Sequence, residues 1–104
     1  MKLEDTAYLM QSDDFKLRGI AEYYQIKIRT EQNREFIRKW ENNELDFVPC
    51  NKLESSKRQL DAMEYYELAL RLRLREVFNA HDDAEFENAI NEYVARHTII
   101  QSWG

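Results

Sequence analysis

The sequence predicts an all-α fold: a long antiparallel helical hairpin, a short N-terminal helix and an additional C-terminal helix. Two observations carry this. Backbone punctuation is scarce, with two glycines and one proline in 104 residues, while 34% of residues are charged and 43% hydrophobic. That mix suits long helices and disfavours a many-turned sheet protein. Second, apolar residues recur at helical spacing in two long segments that flank the only proline and the only cysteine. The length is that of one ordinary domain, taken here as residues 1–104.

The elements follow in order. Residues 3–11, LEDTAYLMQ, read as a short helix begun by Asp5, with Leu3, Tyr8, Leu9 and Met10 available for burial. Ser12 or Asp13 then caps the first long helix, and the acids there suit the positive end of its dipole. This helix is predicted from about Asp13 to Glu41. Leu17, Ile20, Ala21, Tyr24 and Ile28 follow the spacing of one buried stripe. The stripe weakens over residues 29–35 and resumes at Phe36, Ile37 and Trp40. Gly19 lies inside the helix, where glycine costs up to about 1 kcal/mol relative to alanine. It is either a site of close helix approach or a tolerated weak point.

Asn42 and Asn43 suit a helix end, because Asn tolerates the left-handed conformation. Leu45, Phe47 and Val48 are expected to plug the end of the hairpin. Cys50 is expected to be a small buried hydrophobe beside them. Asn51 with Glu54 reads as an Asn variant of the capping box, opening a second long helix to about Asn79. Leu53, Leu60, Met63, Leu70, Leu74 and Phe78 form its stripe. Tyr66, Leu68, Leu72 and Val77 widen it, so this helix is expected to be covered on more than one side. Asp82 with Glu85 starts a shorter helix, with Phe86, Ala89, Ile90, Tyr93, Val94 and His97 on one face. The tail TIIQSWG is apolar.

Composition excludes several functions. The formal charge is −5 and the pI about 5.1, which disfavours direct nucleic-acid binding. A lone cysteine forms no internal disulfide and fits a reducing compartment. No apolar run approaches the roughly 20 residues that span a bilayer. No glycine-rich phosphate loop is present, and Cys50 has no adjacent histidine. His81, Asp82, Asp83 and His97 match no metal-ligand spacing and read as a helix start. No enzyme activity and no cofactor are expected.

One segment, AEYYQIKIR at 21–29, points to ligand chemistry. Tyr23 and Tyr24 lie about 100° apart on a helix, so one can enter the core while the other faces out. Lys27 lies one turn beyond Tyr23. Tyr23, Lys27 and Arg34 could form a strip that stacks a base and neutralises a phosphate, or simply a solvated face. In RLRLR at 71–75, Arg71 and Arg75 share a face and could line an oligomer cleft that accepts an anion. Glu67–Arg71 and Glu92–Arg96 read as ordinary helix pairs.

The runs SDDFKLRGIAEYYQIKIR, LDFVP and QLDAM resemble a family of small proteins from tailed phages and prophages, named after a crAss-like phage member. The likeness covers roughly residues 8–76 and includes Asp14, Phe15, Tyr23, Tyr24, Lys27, Arg29, Phe47, Pro49 and Met63. Gly19 stands where that family commonly has a bulky residue, and Thr30 and Asn33 where it has an aromatic and a leucine. The family hairpin usually ends near Arg75, so residues 80–104 are an extension. The layout looks like that of phage hairpin proteins that oligomerise and sequester cyclic-nucleotide immune signals. The apolar breadth of the second long helix predicts a homo-oligomer, the lone cysteine and the lack of a spanning run suit the host cytoplasm, and the resemblance implies a non-enzymatic anti-defence protein. Its partner is either a host defence protein or a nucleotide signal held by Tyr23, Lys27, Arg29 and Tyr8. A structural helper that binds other phage proteins is the alternative, and a DNA-binding regulator is disfavoured by the charge.

Overall fold

Helix-favouring residues, interrupted within the helices by Gly19 alone among glycines and prolines, give four helices in the computed structural model, which describes residues 1–98. They are α1 (Leu3–Met10), α2 (Phe15–Glu41), α3 (Leu53–Val77) and α4 (Asp83–His97). Helices α2 and α3 pack together as the hairpin, α1 lies against α2, and α4 closes the open end of the pair. None of these helices is long and apolar enough to cross a membrane. The apolar tail read at residues 98–104 falls, from residue 99 on, outside the described residues.

The helix ends sit slightly inside the expected ones. Asp14, not Ser12 or Asp13, caps α2: its Oδ1 accepts the Lys16 amide at 2.8 Å. Ser12 instead supports the cap by accepting the Asp14 amide at 3.1 Å. Three oxygen-bearing side chains in a row make the choice among them a matter of where Phe15 can begin the helix. At the other end Asn43 adopts φ 57°, and the Glu44 amide reaches the Lys39 carbonyl at 2.8 Å. The same device ends α3, with Asn79 at φ 54° and the Ala80 amide on the Arg75 carbonyl at 2.8 Å. Both positions use asparagine where glycine is the usual solution.

The expected Asn51 capping box does not form. Helix α3 starts after Lys52, and the Asn51 amide donates to the Ser56 hydroxyl at 2.7 Å. At α4 the Asp82 carboxylate accepts the Glu85 amide as expected, but Glu85 reaches back one residue further, to the His81 amide.

One core runs through all four helices. Leu9 of α1, Ile20 and Ala21 of α2, and Phe86, Ile90 and Val94 of α4 are fully shielded from solvent, with Leu70 and Leu74 of α3 nearly so. Apart from the single methyl of Ala21, each of these side chains contributes about 1.5–3 kcal/mol by leaving water. Where the aliphatic stripe of α2 lapses, Thr30 is buried and its hydroxyl donates to the Ile26 carbonyl at 2.6 Å. On α1, Tyr8 and Met10 stay largely exposed, because the buried side of that short helix is taken by Thr6 and Leu9.

Gly19 is the close approach between α2 and α3. A Cβ there would lie 3.0 Å from the Leu74 Cδ2 atom. Gly19→Ala is expected to be near neutral, since mild crowding offsets a helix-propensity gain of up to about 1 kcal/mol. Gly19→Leu is expected to destabilise by about 1–3 kcal/mol, read by chemical denaturation.

The hairpin tip differs from expectation. Val48 is 90% exposed, Phe47 is 55% exposed and Cys50 is exposed. Phe47 stacks on Phe36, with centroids 6.1 Å apart, and Phe36 meets Trp40 edge-on. The loop therefore folds back along the flank of α2, where Arg38 ties Glu35 to Glu44, each at 2.8 Å. The interior of the hairpin end is filled instead by Ile37 and Ser56.

Among the described residues helix α3 is not covered on several sides. Tyr66, Leu68, Leu72 and Val77 are all exposed, and Tyr66 lies at the edge of the α2 contact, where its hydroxyl donates to the Glu22 carboxylate.

Candidate anion-binding site

Spacing along two helices assembles the site. Tyr23 and Lys27 stand one turn apart on α2, and Arg71 and Arg75 one turn apart on α3. Hairpin packing sets these pairs side by side, and α4 then covers the apolar part of what they form.

Neither tyrosine faces out, contrary to the expectation for one of them. Tyr23 is 2% exposed and Tyr24 9%. The reason lies outside their own helix. Phe86 of α4 meets the Tyr23 ring edge-on at 5.3 Å, while Tyr24 meets its other side at 5.3 Å. Burial raises the Tyr23 hydroxyl pKa, and the Glu87 charge adds to this, while the charge and hydrogen bond of Arg71 oppose it. Burial, then Glu87, likewise raises Tyr24. Both phenols are thus neutral anchors, and the outward chemistry belongs to the cations around them.

Three cations rim this aromatic floor. The Lys27 ammonium lies 5.9 Å from the Tyr23 centroid and 5.6 Å from that of Tyr24. Glu87 of α4 stands 4.0 Å from it. Asp83, at the start of α4, forks between Arg71 at 3.7 Å and Arg75 at 3.6 Å. Arg71 also reaches Glu67 at 3.7 Å, and Arg75 donates to the His81 carbonyl at 2.5 Å. The cations are a quarter to a third exposed, whereas the Asp83 side chain is 64% exposed.

Tyr23, Lys27, Arg71 and Arg75 therefore converge, and two other candidates do not. Arg29 is exposed on another side of α2, about 240° round from Tyr23, and joins no ion pair among the described residues. Tyr8 stands on α1 and lines a shallow depression of about 270 Å³ with Ser12, Leu17 and His97. Arg34 faces Glu64 across the hairpin at 3.4 Å, away from Tyr23.

Sequence reasoning missed the carboxylates. Asp83 and Glu87 lie beyond the hairpin, and only the packing of α4 brings them to the cations. It also missed the second anchor of α4. The Tyr93 hydroxyl donates to the Asp14 carboxylate, while Lys16 sits 5.6 Å from the rings of both Phe78 and Tyr93.

Fold and site together define a small helical-hairpin protein in which three cations, each paired with a carboxylate, rim an aromatic floor. The family model described as Sequestin matches residues 13–76, which covers α2, the loop and nearly all of α3. The chain belongs to the Sequestin family. Helix α4, source of Asp83 and Glu87, lies outside the matched segment. No curated protein and no solved structure matches the chain.

Proposed function

We propose that this protein binds and withholds an anionic nucleotide-type immune signal without transforming it, as a phage or prophage counter to bacterial defence. The observation that carries the reading is the clustering of Lys27, Arg71 and Arg75 within a segment matched by a family named for sequestering. The resemblance to small phage hairpin proteins supports the biological setting.

The roles follow from exposure. Arg71 and Arg75 present paired forks to phosphate oxygens, and Lys27 adds a point charge. Tyr23 is a positioning residue that fixes Arg71 from below. Magnitudes decide what a ligand has to displace. Lifting α4 exposes Phe86, Ile90 and Val94, at about 1.5–3 kcal/mol each. Swinging the Asp83 side chain into water forfeits only surface ion pairs, typically worth about 0–1 kcal/mol each. A phosphate therefore replaces Asp83 while α4 stays docked. Tyr8 and Arg29 would contribute only to a ligand reaching beyond this rim, or to one bridging two copies.

The test is a thermal-shift and calorimetric screen of the full chain against cyclic di- and trinucleotides and ADP-ribose-type compounds. A ligand at 100 times its Kd adds about 2.7 kcal/mol. That corresponds to a Tm rise of roughly 10 °C or more. Arg71→Ala with Arg75→Ala should remove the shift. Asp83→Asn should tighten binding several-fold by removing the internal competitor, about the value of an exposed pair. No shift across the panel, or a shift indifferent to both arginines, would sink the proposal. Direct inhibition of a host defence protein would then be the reading to test, by pull-down of such a protein with the acidic chain.

A further inference from the structure

Among the described residues the outer face of α3 has no partner, and its sequence reads as its own complement. Arg58, Ala62, Tyr65, Ala69, Leu72 and Glu76 recur at intervals of four and three and are all exposed. On a helix they fall within an arc of about 80° and span roughly 27 Å. The face is opposite the one that Leu70 and Leu74 bury against α2. Tyr65 is 77% exposed and Leu72 47%, a large apolar surface to leave in water.

We propose that a second copy of this chain docks here, α3 against α3 in antiparallel register about a twofold axis that meets this outer face level with position 67. The order of residues carries the proposal. Laid antiparallel about that point, Tyr65 faces the partner's Ala69, and Leu72 faces the partner's Ala62, so large side chains fill spaces left by small ones. Arg58 at one end faces the partner's Glu76, and the symmetry repeats each of these contacts. Among the described residues Arg58 and Glu76 form no ion pair within the chain, so both charges are available. A parallel pairing in register sets Arg58 against Arg58 and Glu76 against Glu76, which disfavours it. This interface stands on the outer side of α3 and does not depend on the ligand reading above.

The experiment is sedimentation velocity on the full chain and its variants, with helicity checked by circular dichroism. The wild type should reach twice the mass of the 12.6-kDa chain. Arg58→Glu alone and Glu76→Arg alone should each weaken the dimer about tenfold or more, by turning two symmetric attractions into repulsions. Arg58→Glu combined with Glu76→Arg should restore it. Mixing the two single variants should give a heterodimer, because both of its charged contacts are then complementary. Leu72→Glu should give a folded monomer, since Leu72 is 47% exposed and lies outside the buried core of the described residues. A wild type that stays monomeric to about 100 µM overturns the proposal. So does an oligomer that ignores the charge reversals and Leu72→Glu, which would place the contact on another face.

Discussion

Phe86→Ala is expected to lower unfolding free energy by about 3–5 kcal/mol. The ring is fully buried and closes the floor formed by Tyr23 and Tyr24. Its removal opens a cavity between α2 and α4 that neither tyrosine can fill, since each is already held in edge-on contact. For a chain of this length the midpoint temperature should fall by roughly 15–30 °C. Small domains are stable by about 5–15 kcal/mol, so this is a large share. Chemical denaturation followed by far-ultraviolet circular dichroism measures it. A loss below about 1 kcal/mol would mean that α4 contributes little to the core. Two separate transitions would mean that the matched hairpin folds without it. The burial of Phe86, Ile90 and Val94 argues for one transition and a large loss.

Asp14→Ala is expected to cost about 2–3 kcal/mol, because one carboxylate performs two tasks. It caps α2, a role worth about 1 kcal/mol. It also accepts the Tyr93 hydroxyl from α4, a charge-assisted bond worth about 1–2 kcal/mol at this partly open position. Asp14→Asn retains a good cap and should lose about half as much. A double-mutant cycle with Tyr93→Phe should give a coupling of about 1 kcal/mol. Zero coupling would remove Tyr93 from the account.

The same pair sets a pH window. The Tyr93 hydrogen bond, then the Lys16 amide, holds the Asp14 carboxyl below its ordinary value of 3.8 against the opposing effect of burial. Its contribution is therefore present above the unfolded carboxyl pKa and fades as pH falls through the folded one. The Tyr93 hydroxyl, held by Asp14 and then by burial, is pushed up from 10.0 to about 12. Its contribution is complete below the unfolded value and is lost as pH rises through about 12. Stability measured against pH should decline at both ends in the native protein, and less steeply in Tyr93→Phe.

The helical architecture was legible because period and burial coincide along single helices. Leu17, Ile20, Ala21 and Tyr24 read as one stripe, and so do Phe86, Ile90 and Val94. The shared face of Arg71 and Arg75 was legible for the same reason, and Asp83 answers both. What the pattern could not carry was any feature made by two distant segments. From α2 alone one of Tyr23 and Tyr24 was expected to face out, yet both are buried, Tyr23 against Phe86 from α4. Cys50, Phe47 and Val48 looked like plugs by composition, yet Phe36 drew the loop along the flank of α2. Caps shifted by a residue or two because several suitable side chains stood adjacent.

The long reach of the α4 anchors bears on lifetime. Helices α1, α2 and α3 meet their neighbours in sequence, and such local contacts form early. The Tyr93–Asp14 link joins residues 79 apart, so its closure is expected late, after the hairpin exists, which a low φ-value for Tyr93→Phe would check. Contacts made after the folding barrier govern how fast a chain opens rather than how fast it closes. The residence time of the native state is therefore set by the last helix to arrive. Loss of about 4 kcal/mol there would speed opening by several hundredfold while leaving the folding rate nearly unchanged.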